Sequence, residues 1–394
     1  MLKVKHLLLF LILFAIPAIT EAQLSDQARV SLLTASPHDG EVFTLYGHTA
    51  LRISDPQLKK DLVFNYGTFS FDKPYFIYRF SKGEMDYELG IDFFSRYIIP
   101  YQMRGSEVIE QVLDLTLEEK NRIWNFLANN YRPENRVYRY NFFFDNCSTR
   151  PRDIVEQCVN GRIAYVPETE KFTFRDLIND CTRNHPWQTF GCDLALGAPT
   201  DATATDHETL FLPRFLKNAF DKATIVSPDG STRKLVSSTS ILTETSSDET
   251  ENSPAFFTPL VCGWLLFVLI AGITYREWKH RTYYRSVDII LFSIAGIAGC
   301  VLFFLSFFTV HPCTSPNWSL IWLNPVQLVA VILFAVKKAR KAAYYYHFIN
   351  FAALTLFLAG WHWIPQQFNP AFIPLILTLW VRSGYGVYRY IKNR

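Results

Sequence analysis

The stretch Asn141-Phe-Phe-Phe-Asp-Asn-Cys-Ser-Thr-Arg-Pro-Arg152 decides how the first half of the chain is read. Its aromatic run reads as the end of a strand from Arg136 to Phe144, and the polar residues after Cys147 read as a helix start. A thiol at a helix N-terminus lies in a positive field, which favours the reactive thiolate. Pro151 fits only a first turn, where its missing N–H has no helical partner to lose. The helix is therefore expected to begin at Ser148 or Thr149, run through Ile154, Val155 and Cys158, and stop at Gly161. Upstream, Tyr46-Gly-His-Thr-Ala-Leu-Arg-Ile53 sets His48 at the start of an alternating strand. A cysteine, a histidine on a strand and a polar third residue form a nucleophile, a base and an orienting group. The competing reading of Cys147 is a buried structural cysteine or half of a disulfide.

With 394 residues the chain is long enough for two domains. A hydrophobic content of 49% and an aromatic content of 16% point to a membrane part. The net charge of +3 argues against a nucleic-acid partner, and no phosphate-cradling glycine motif occurs. Lys3 and Lys5, an apolar run from Leu7 to Ile19, and Thr20-Glu21-Ala22 read as a signal peptide over residues 1–22. An uncleaved signal anchor is the alternative, and either one exports the next segment. No cysteine succeeds the cleavage site, so the chain is not itself built as a lipoprotein.

Residues 23–222 read as a compact α+β domain. Strands are expected at Ala28–Ala35, Thr49–Ser54, Leu62–Tyr66 and Glu107–Leu115. Thr116-Leu-Glu-Glu119 is a capping box opening a helix to about Asn130, with Ile123, Trp124 and Leu127 on its buried face. Residues 223–255 read as a hairpin around Pro228-Asp229-Gly230, then a Ser/Thr/Glu tract expected to be a flexible tether. Residues 256–394 read as an all-α membrane domain. Spans are expected at about 256–275, 287–310, 319–336, 344–361 and 370–384, with four as the alternative count because several are short. Lys and Arg cluster in the loop 276–286, after the third span (Lys337, Lys338, Arg340, Lys341) and in the tail (Arg382, Arg389, Lys392, Arg394), but not in the loops 311–318 and 361–369. The positive-inside rule then puts the C-terminus in the cytoplasm and the first domain in the periplasm.

Cys147 and Cys158 are eleven residues apart on one expected helix, roughly 16 Å and too far for a disulfide. Cys181 and Cys192, in a loop-like stretch, are the expected pair. No metal-binding spacing occurs, so neither a metal nor a cofactor is expected. His38, His185 and His207 read as exposed polar residues. His311, Asn317 and Asn324 read as capping and kinking groups near Pro312 and Pro325. The alternative gives these three a lipid headgroup to contact, beside Trp318 and Trp322, which suit a membrane interface.

The segments Tyr46-Gly-His-Thr-Ala-Leu-Arg-Ile53, Phe64-Asn-Tyr-Gly-Thr-Phe-Ser-Phe71, Phe80-Ser-Lys-Gly-Glu-Met-Asp-Tyr87, Tyr140-Asn-Phe-Phe-Phe-Asp-Asn-Cys-Ser-Thr-Arg150 and Phe190-Gly-Cys-Asp-Leu-Ala-Leu-Gly197 resemble, in order, the periplasmic domain of the Lnb-type lipoprotein N-acyltransferases of Bacteroidota. The membrane half, with Asn317-Trp-Ser-Leu-Ile-Trp-Leu-Asn-Pro325, resembles the same family. More remotely, a histidine opening a strand, a polar residue closing the next and a later Asn-Cys at a helix start resemble lecithin:retinol-acyltransferase-like and other permuted NlpC/P60 proteins. That resemblance implies a permuted papain-like core, with Asn65 as the orienting group and Asp72 as its alternative. Asn146 and Tyr46 are candidates for support. Pro151 departs from the pattern and leaves the helix register open.

The family resemblance implies acyl transfer. Cys147 attacks a phospholipid ester with His48 as base, and the thioester then acylates the α-amine of a lipoprotein's N-terminal cysteine. The alternatives are a cell-wall cysteine amidase or peptidase of the NlpC/P60 kind, which has no use for several spans, and a non-enzymatic envelope protein that binds a lipid or partner.

Overall fold

The computed structural model describes residues 23–39, 42–69, 74–244 and 256–392. The expected signal peptide and residues 245–255 of the tether lie outside them.

The N-terminal domain is mixed α/β. Its first strands are β1 (Arg29–Ala35), β2 (His48–Asp55), β3 (Lys60–Thr68), β4 (Asp86–Phe93), β5 (Val108–Leu113) and β6 (Val137–Arg139). Three short strands, β7 (Arg162–Ala164), β8 (Thr224–Val226) and β9 (Thr232–Lys234), form a second sheet, and β10 (Val236–Thr243) returns to the first. The large sheet is antiparallel in the order β10-β5-β1-β2-β3-β4-β6. The helices are α1 (Phe76–Ser81), α2 (Phe94–Tyr97), α3 (Ile99–Met103), α4 (Leu117–Asn130), α5 (Thr149–Cys158), α6 (Phe174–Thr182), α7 (Pro186–Ala195), α8 (Asp206–Thr209) and α9 (Pro213–Lys222).

Alternation along the strands sorts side chains onto two faces. Val30, Leu32, Leu51, Ile53 and Phe64 pack against Ile123 and Leu127 of α4, Ile154 and Val155 of α5, and Leu216 and Phe220 of α9. Leu33, Ala35, Ala50, Val63 and Val108 meet Tyr97, Ile98 and Tyr101 on the other face. The capping box forms as its sequence dictates. The Glu119 backbone N–H donates to Thr116 Oγ1 at 3.3 Å, and the Thr116 N–H donates to Glu119 Oε2 at 2.8 Å. Buried Glu119 also accepts from Arg233 at 2.6 Å, which pins the β8–β9 hairpin to the start of α4.

Two segments depart from their local propensity. The expected strand Arg136–Phe144 ends at Arg139. Asn141 Oδ1 accepts the N–H groups of Phe143 and Phe144, both at 3.1 Å, so the aromatic run is a side-chain-closed turn. The Ser/Thr tract reads as a tether because it buries little. Its first part is instead the edge strand β10, held by backbone pairing with β5 and with most side chains exposed. Ladder hydrogen bonds do not require an apolar face.

The stretch around Cys181 and Cys192, expected to be a loop, is helical. A Thr173–Asp176 capping box starts α6 and Pro186 starts α7. Both thiols are free, so the expected disulfide between them is absent.

The C-terminal region holds α10 (Pro259–His280), α11 (Arg285–Phe307), a short 3-10 turn at Trp318–Ile321, α12 (Val326–Ala335), α13 (Arg340–Ala359) and α14 (Phe372–Lys392). Among the described residues, four segments are helical, long and apolar enough to cross a membrane: Pro259–His280, Arg285–Phe307, Trp318–Ala335 and Lys337–Ala359. The third is not one continuous helix, because Pro325 interrupts it. Arg382, read with the basic tail, is a core residue of α14. Its guanidinium is fully buried and ion-pairs with Glu277 of α10 and, at 2.7 Å, with Asp288 of α11. It also donates to Thr274 at 2.9 Å.

The two regions are fastened through α7 and the loop after it. Asn317 Nδ2 donates to the Leu194 carbonyl at 2.8 Å, and Asn369 Nδ2 to Asp193 at 2.9 Å. The Gly197 and Ala198 amides donate to the carbonyls of Cys313 and Pro316 at 2.8 and 2.9 Å.

Removing the cation alone from the membrane ion pairs strands two buried carboxylates. Arg382→Leu is expected to cost about 3–5 kcal/mol, seen as a lowered thermal midpoint of the full chain in detergent. The triple replacement Arg382→Leu, Glu277→Gln, Asp288→Asn is expected to recover most of that loss.

Candidate active site

Cys147 is the residue between a closed turn and the start of α5. Asn146 builds that corner. Its Oδ1 accepts the N–H groups of Ser148 and Thr149 at 2.8 and 2.9 Å, which caps the helix. Its Nδ2 donates to the carbonyls of Phe142 and Phe211 at 2.7 and 2.8 Å. Asn146 thus holds the nucleophile's backbone and does not face its sulfur. The helix begins at Thr149, within the expected register, with Pro151 in its first turn.

His48 opens β2, where its backbone pairs with Ala35 of β1. Its Nε2 lies 2.6 Å from Asn65 Oδ1 on the neighbouring strand β3. An amide oxygen only accepts, so Nε2 carries a proton and Nδ1 is the nitrogen left for the thiol. The ring and the thiol face the same point of the site, where a Cβ at Gly67 would lie 3.9 Å from both His48 Cε1 and Cys147 Cβ. Thr49, Ser148 and Tyr140 surround the thiol and act on its charge, while the Thr49 and Ser148 hydroxyls bond each other at 3.1 Å.

Burial opposes charge on either partner. The facing sulfur, the nearby Tyr101, and hydrogen bonds from the sulfur and Asn65 nonetheless push His48 up to about 10. On Cys147, the charge and hydrogen bond of His48 and the bonds from Thr49 and Ser148 outweigh burial and hold the thiol below its ordinary value. Both shifts favour the charged forms, thiolate and imidazolium, which is the direction that activates a cysteine.

A fault in the sheet lies beside the pair. The β3–β4 ladder slips between Asn65 and Thr68, and Gly67 there has φ +97°. A Cβ at Gly67 would sit 3.8–3.9 Å from Tyr140, Cys147 and His48, filling the approach to the pair. A side chain at this φ is also strained.

The other candidates lie elsewhere. Asp72 is outside the described residues. Tyr46 reaches Cys192, with its hydroxyl 3.7 Å from the sulfur, and its ring packs edge-on against Phe142. It supports the turn before Cys147. His311 bonds the carbonyls of Phe80 and Ser81 at 3.1 and 3.2 Å. Asn317 is bonded to α7, and Asn324 Nδ2 donates to the Ile321 carbonyl at 3.3 Å. These three are engaged by protein groups away from Cys147. His207 lies with Asp153 and Glu156, but its ring bonds Glu156 at 3.0 Å and Asp153 pairs with Arg152 at 2.7 Å, so the group is a surface ion-pair cluster. Sequence reasoning missed Thr49, Ser148 and Tyr140. The first two adjoin His48 and Cys147 and could have been found by adjacency. Nothing marks Tyr140 among 20 tyrosines.

Alkylation of Cys147 by iodoacetamide should keep its rate at pH values below the ordinary thiol range, since a lowered pKa leaves thiolate present there. In His48→Ala the inflection should rise, because burial, the largest influence, is then opposed only by Thr49 and Ser148; mass-spectrometric rate measurements across pH check this. Asn146→Ala should destabilise the chain by on the order of 3 kcal/mol, because four backbone groups lose their partner, read as a lower melting temperature.

A family model described as the Lnb N-terminal periplasmic domain matches residues 17–180, and one described as the Lnb transmembrane domain matches residues 250–394. No curated protein and no solved structure matches the chain. The two family models succeed one another in chain order and leave only the segment around α7 to β10 between them. The chain belongs to the Lnb-type family, with a periplasmic N-terminal domain and a membrane-spanning C-terminal domain.

Proposed function

We propose that this protein is a membrane-bound, thiol-dependent acyltransferase that moves an acyl chain from a phospholipid to the N-terminal amine of a lipoprotein. The observation that carries the reading is the constellation of buried Cys147 with half-buried His48 and Asn65, in a domain fastened to a membrane domain. Its order along the chain, histidine and asparagine on adjacent strands before a cysteine at a helix start, supports a permuted papain-like site.

The Cys147 thiolate attacks the carbonyl carbon of the phospholipid ester. The tetrahedral oxyanion is met by the Cys147 amide, which donates to no other group among the described residues. The ester C–O bond breaks, the leaving oxygen takes the proton from His48, and a lysophospholipid departs. The amine of the lipoprotein cysteine then attacks the thioester while His48 Nδ1 takes its proton. The C–S bond breaks, and the thiolate–imidazolium pair is restored. Asn65 keeps the ring oriented through both half-reactions, without a negative charge that would hold the proton too firmly.

The fifth helix of the membrane region, α14, is 21 residues and about 30 Å long, and it packs against α10 and α13. We read it as a further crossing of the membrane. With the basic clusters at one end of the bundle, the C-terminus then lies in the cytoplasm.

The test expresses the wild type, Cys147→Ala and His48→Ala in cells lacking their own lipoprotein N-acyltransferase and weighs a lipoprotein's N-terminal peptide. Only the wild type should add an acyl chain to the amine, and Asn65→Ala should slow transfer by about 10²-fold. Equal acylation by Cys147→Ala would remove Cys147 from the mechanism. No acylation by an expressed wild type would reject the acyl-transfer reading in favour of a hydrolase or a binding protein.

A further inference from the structure

The connection between β3 and β4 carries exposed large side chains around α1. Around α1, Tyr75, Ile77, Tyr78 and Phe80 are 81%, 80%, 58% and 51% exposed. Four large apolar side chains along one turn and a half of helix are costly to leave in water. The polar residues of the same connection are neutralised at its base. Arg79 pairs with Asp86 at 2.5 Å, and Lys82 with Glu84 at 2.6 Å. The segment's charges are thus paired with one another, Lys82 also lying over the Tyr78 ring at 5.6 Å, while its large side chains are exposed.

Its position is set by the membrane domain. The Val310 amide donates to the Lys82 carbonyl at 2.9 Å, and His311 Nε2 reaches the Phe80 and Ser81 carbonyls. Gly83, at φ +71°, lets His311 approach; a Cβ there would meet the imidazole at 3.1 Å. Val310 and His311 come directly after α11, a membrane-crossing candidate. The last outward residues of that segment, Phe303, Phe307 and Phe308, are exposed as lipid-facing residues are. The hook thus holds α1 at the level where α11 leaves the bilayer.

Aromatic rings link this connection to the nucleophile. Phe69, just after β3, lies 5.1 Å from Tyr87 between ring centres, and Tyr87 stacks on Tyr140 at 4.3 Å. Tyr140 in turn lies beside Cys147, and a Cβ at Gly67 would touch both.

We propose that α1 is an interfacial helix whose Tyr75, Ile77, Tyr78 and Phe80 side chains insert into the outer leaflet of the membrane, and that Phe69, Tyr87 and Tyr140 line the route along which a lipid acyl chain leaves that leaflet for Cys147. The insertion stands on the exposed surface and the hook alone. The use of the route rests on the acyl-transfer reading. The bilayer is the occupant because α1 is anchored to the end of a membrane-crossing segment and its outward side chains carry no charge.

The test uses the full chain in phospholipid vesicles. A spin label on Ile77→Cys, with the unsubstituted protein as background, should collide with oxygen more than with a water-soluble nickel chelate, and a label on Glu84→Cys should show the reverse. The double variant Ile77→Glu, Tyr78→Glu should transfer acyl chains from vesicle phospholipid at least about tenfold more slowly, while the alkylation rate of Cys147 by iodoacetamide stays unchanged. That unchanged rate shows that the fold and the reactive pair survive. A label at Ile77 that is accessible to the chelate overturns the insertion. Undiminished transfer by the double variant overturns the route. If the wild type transfers no acyl chain at all, the acyl-transfer reading and the route fall together, and the spin-label result still decides the insertion.

Discussion

Arg175 is the interaction on which the assembly of the two domains depends. Its guanidinium is almost wholly buried and donates to Asp201 at 2.7 Å, Asp193 at 3.0 Å, Thr200 at 2.9 Å and the carbonyls of Leu196 and Gly197, both at 3.1 Å. A buried cation is tolerated only when its donors are satisfied in this way. Satisfying them curls residues 193–201 around α6. The two carboxylates that neutralise it have oxygens to spare, and these hold the membrane domain. Asp193 Oδ2 accepts from Asn369, and Asp201 Oδ2 from the Gln367 amide at 3.2 Å. The segment Phe190–Gly197 is thus a docking element, and its contribution to chemistry is indirect.

That docking reaches the nucleophile through packed rings. Phe174, next to Arg175, lies against Phe143 and Phe211, with ring centres 5.4 and 6.0 Å apart. The Phe211 carbonyl accepts from Asn146, which caps the helix behind Cys147. His48 and Asn65 instead belong to the sheet. The reactive pair therefore forms at a seam: one half is placed by the sheet, the other by the layer seated on the membrane domain. A site built this way is coupled through packing to the docking, which fits the proposed acyl transfer between bilayer-held substrates.

Local patterns were legible. The Thr116–Glu119 cap, the alternating strands β1 to β3, the start of α5 and the Pro228–Gly230 hairpin all rest on contacts within a few residues, as do the placing of His48 at a strand start and of Cys147 before a helix. The misread elements share one cause. Phe142–Phe144 has strand propensity, but Asn141 closes it into a turn. The Ser/Thr tract has no face to bury, but the free edge of β5 recruits it. Cys181 and Cys192 sit in polar surroundings in the sequence, yet they lie on helices that pack against the Phe143–Phe211 cluster.

The sequence by itself determined a periplasmic α/β domain followed by apolar helices, the family, and which residues could serve as nucleophile, base and orienting group. These come from residue type, periodicity and motif order, which are properties of neighbours in the chain. Only the tertiary structure decided that His48, bonded to Asn65, lies beside Cys147, that Arg382 is a core ion and not part of a tail, and that α1 is hooked to the membrane domain. Each of these joins residues far apart in sequence through directional hydrogen bonds or buried charge. Such contacts exist only once the sheet, the docking layer and the membrane helices have closed on one another.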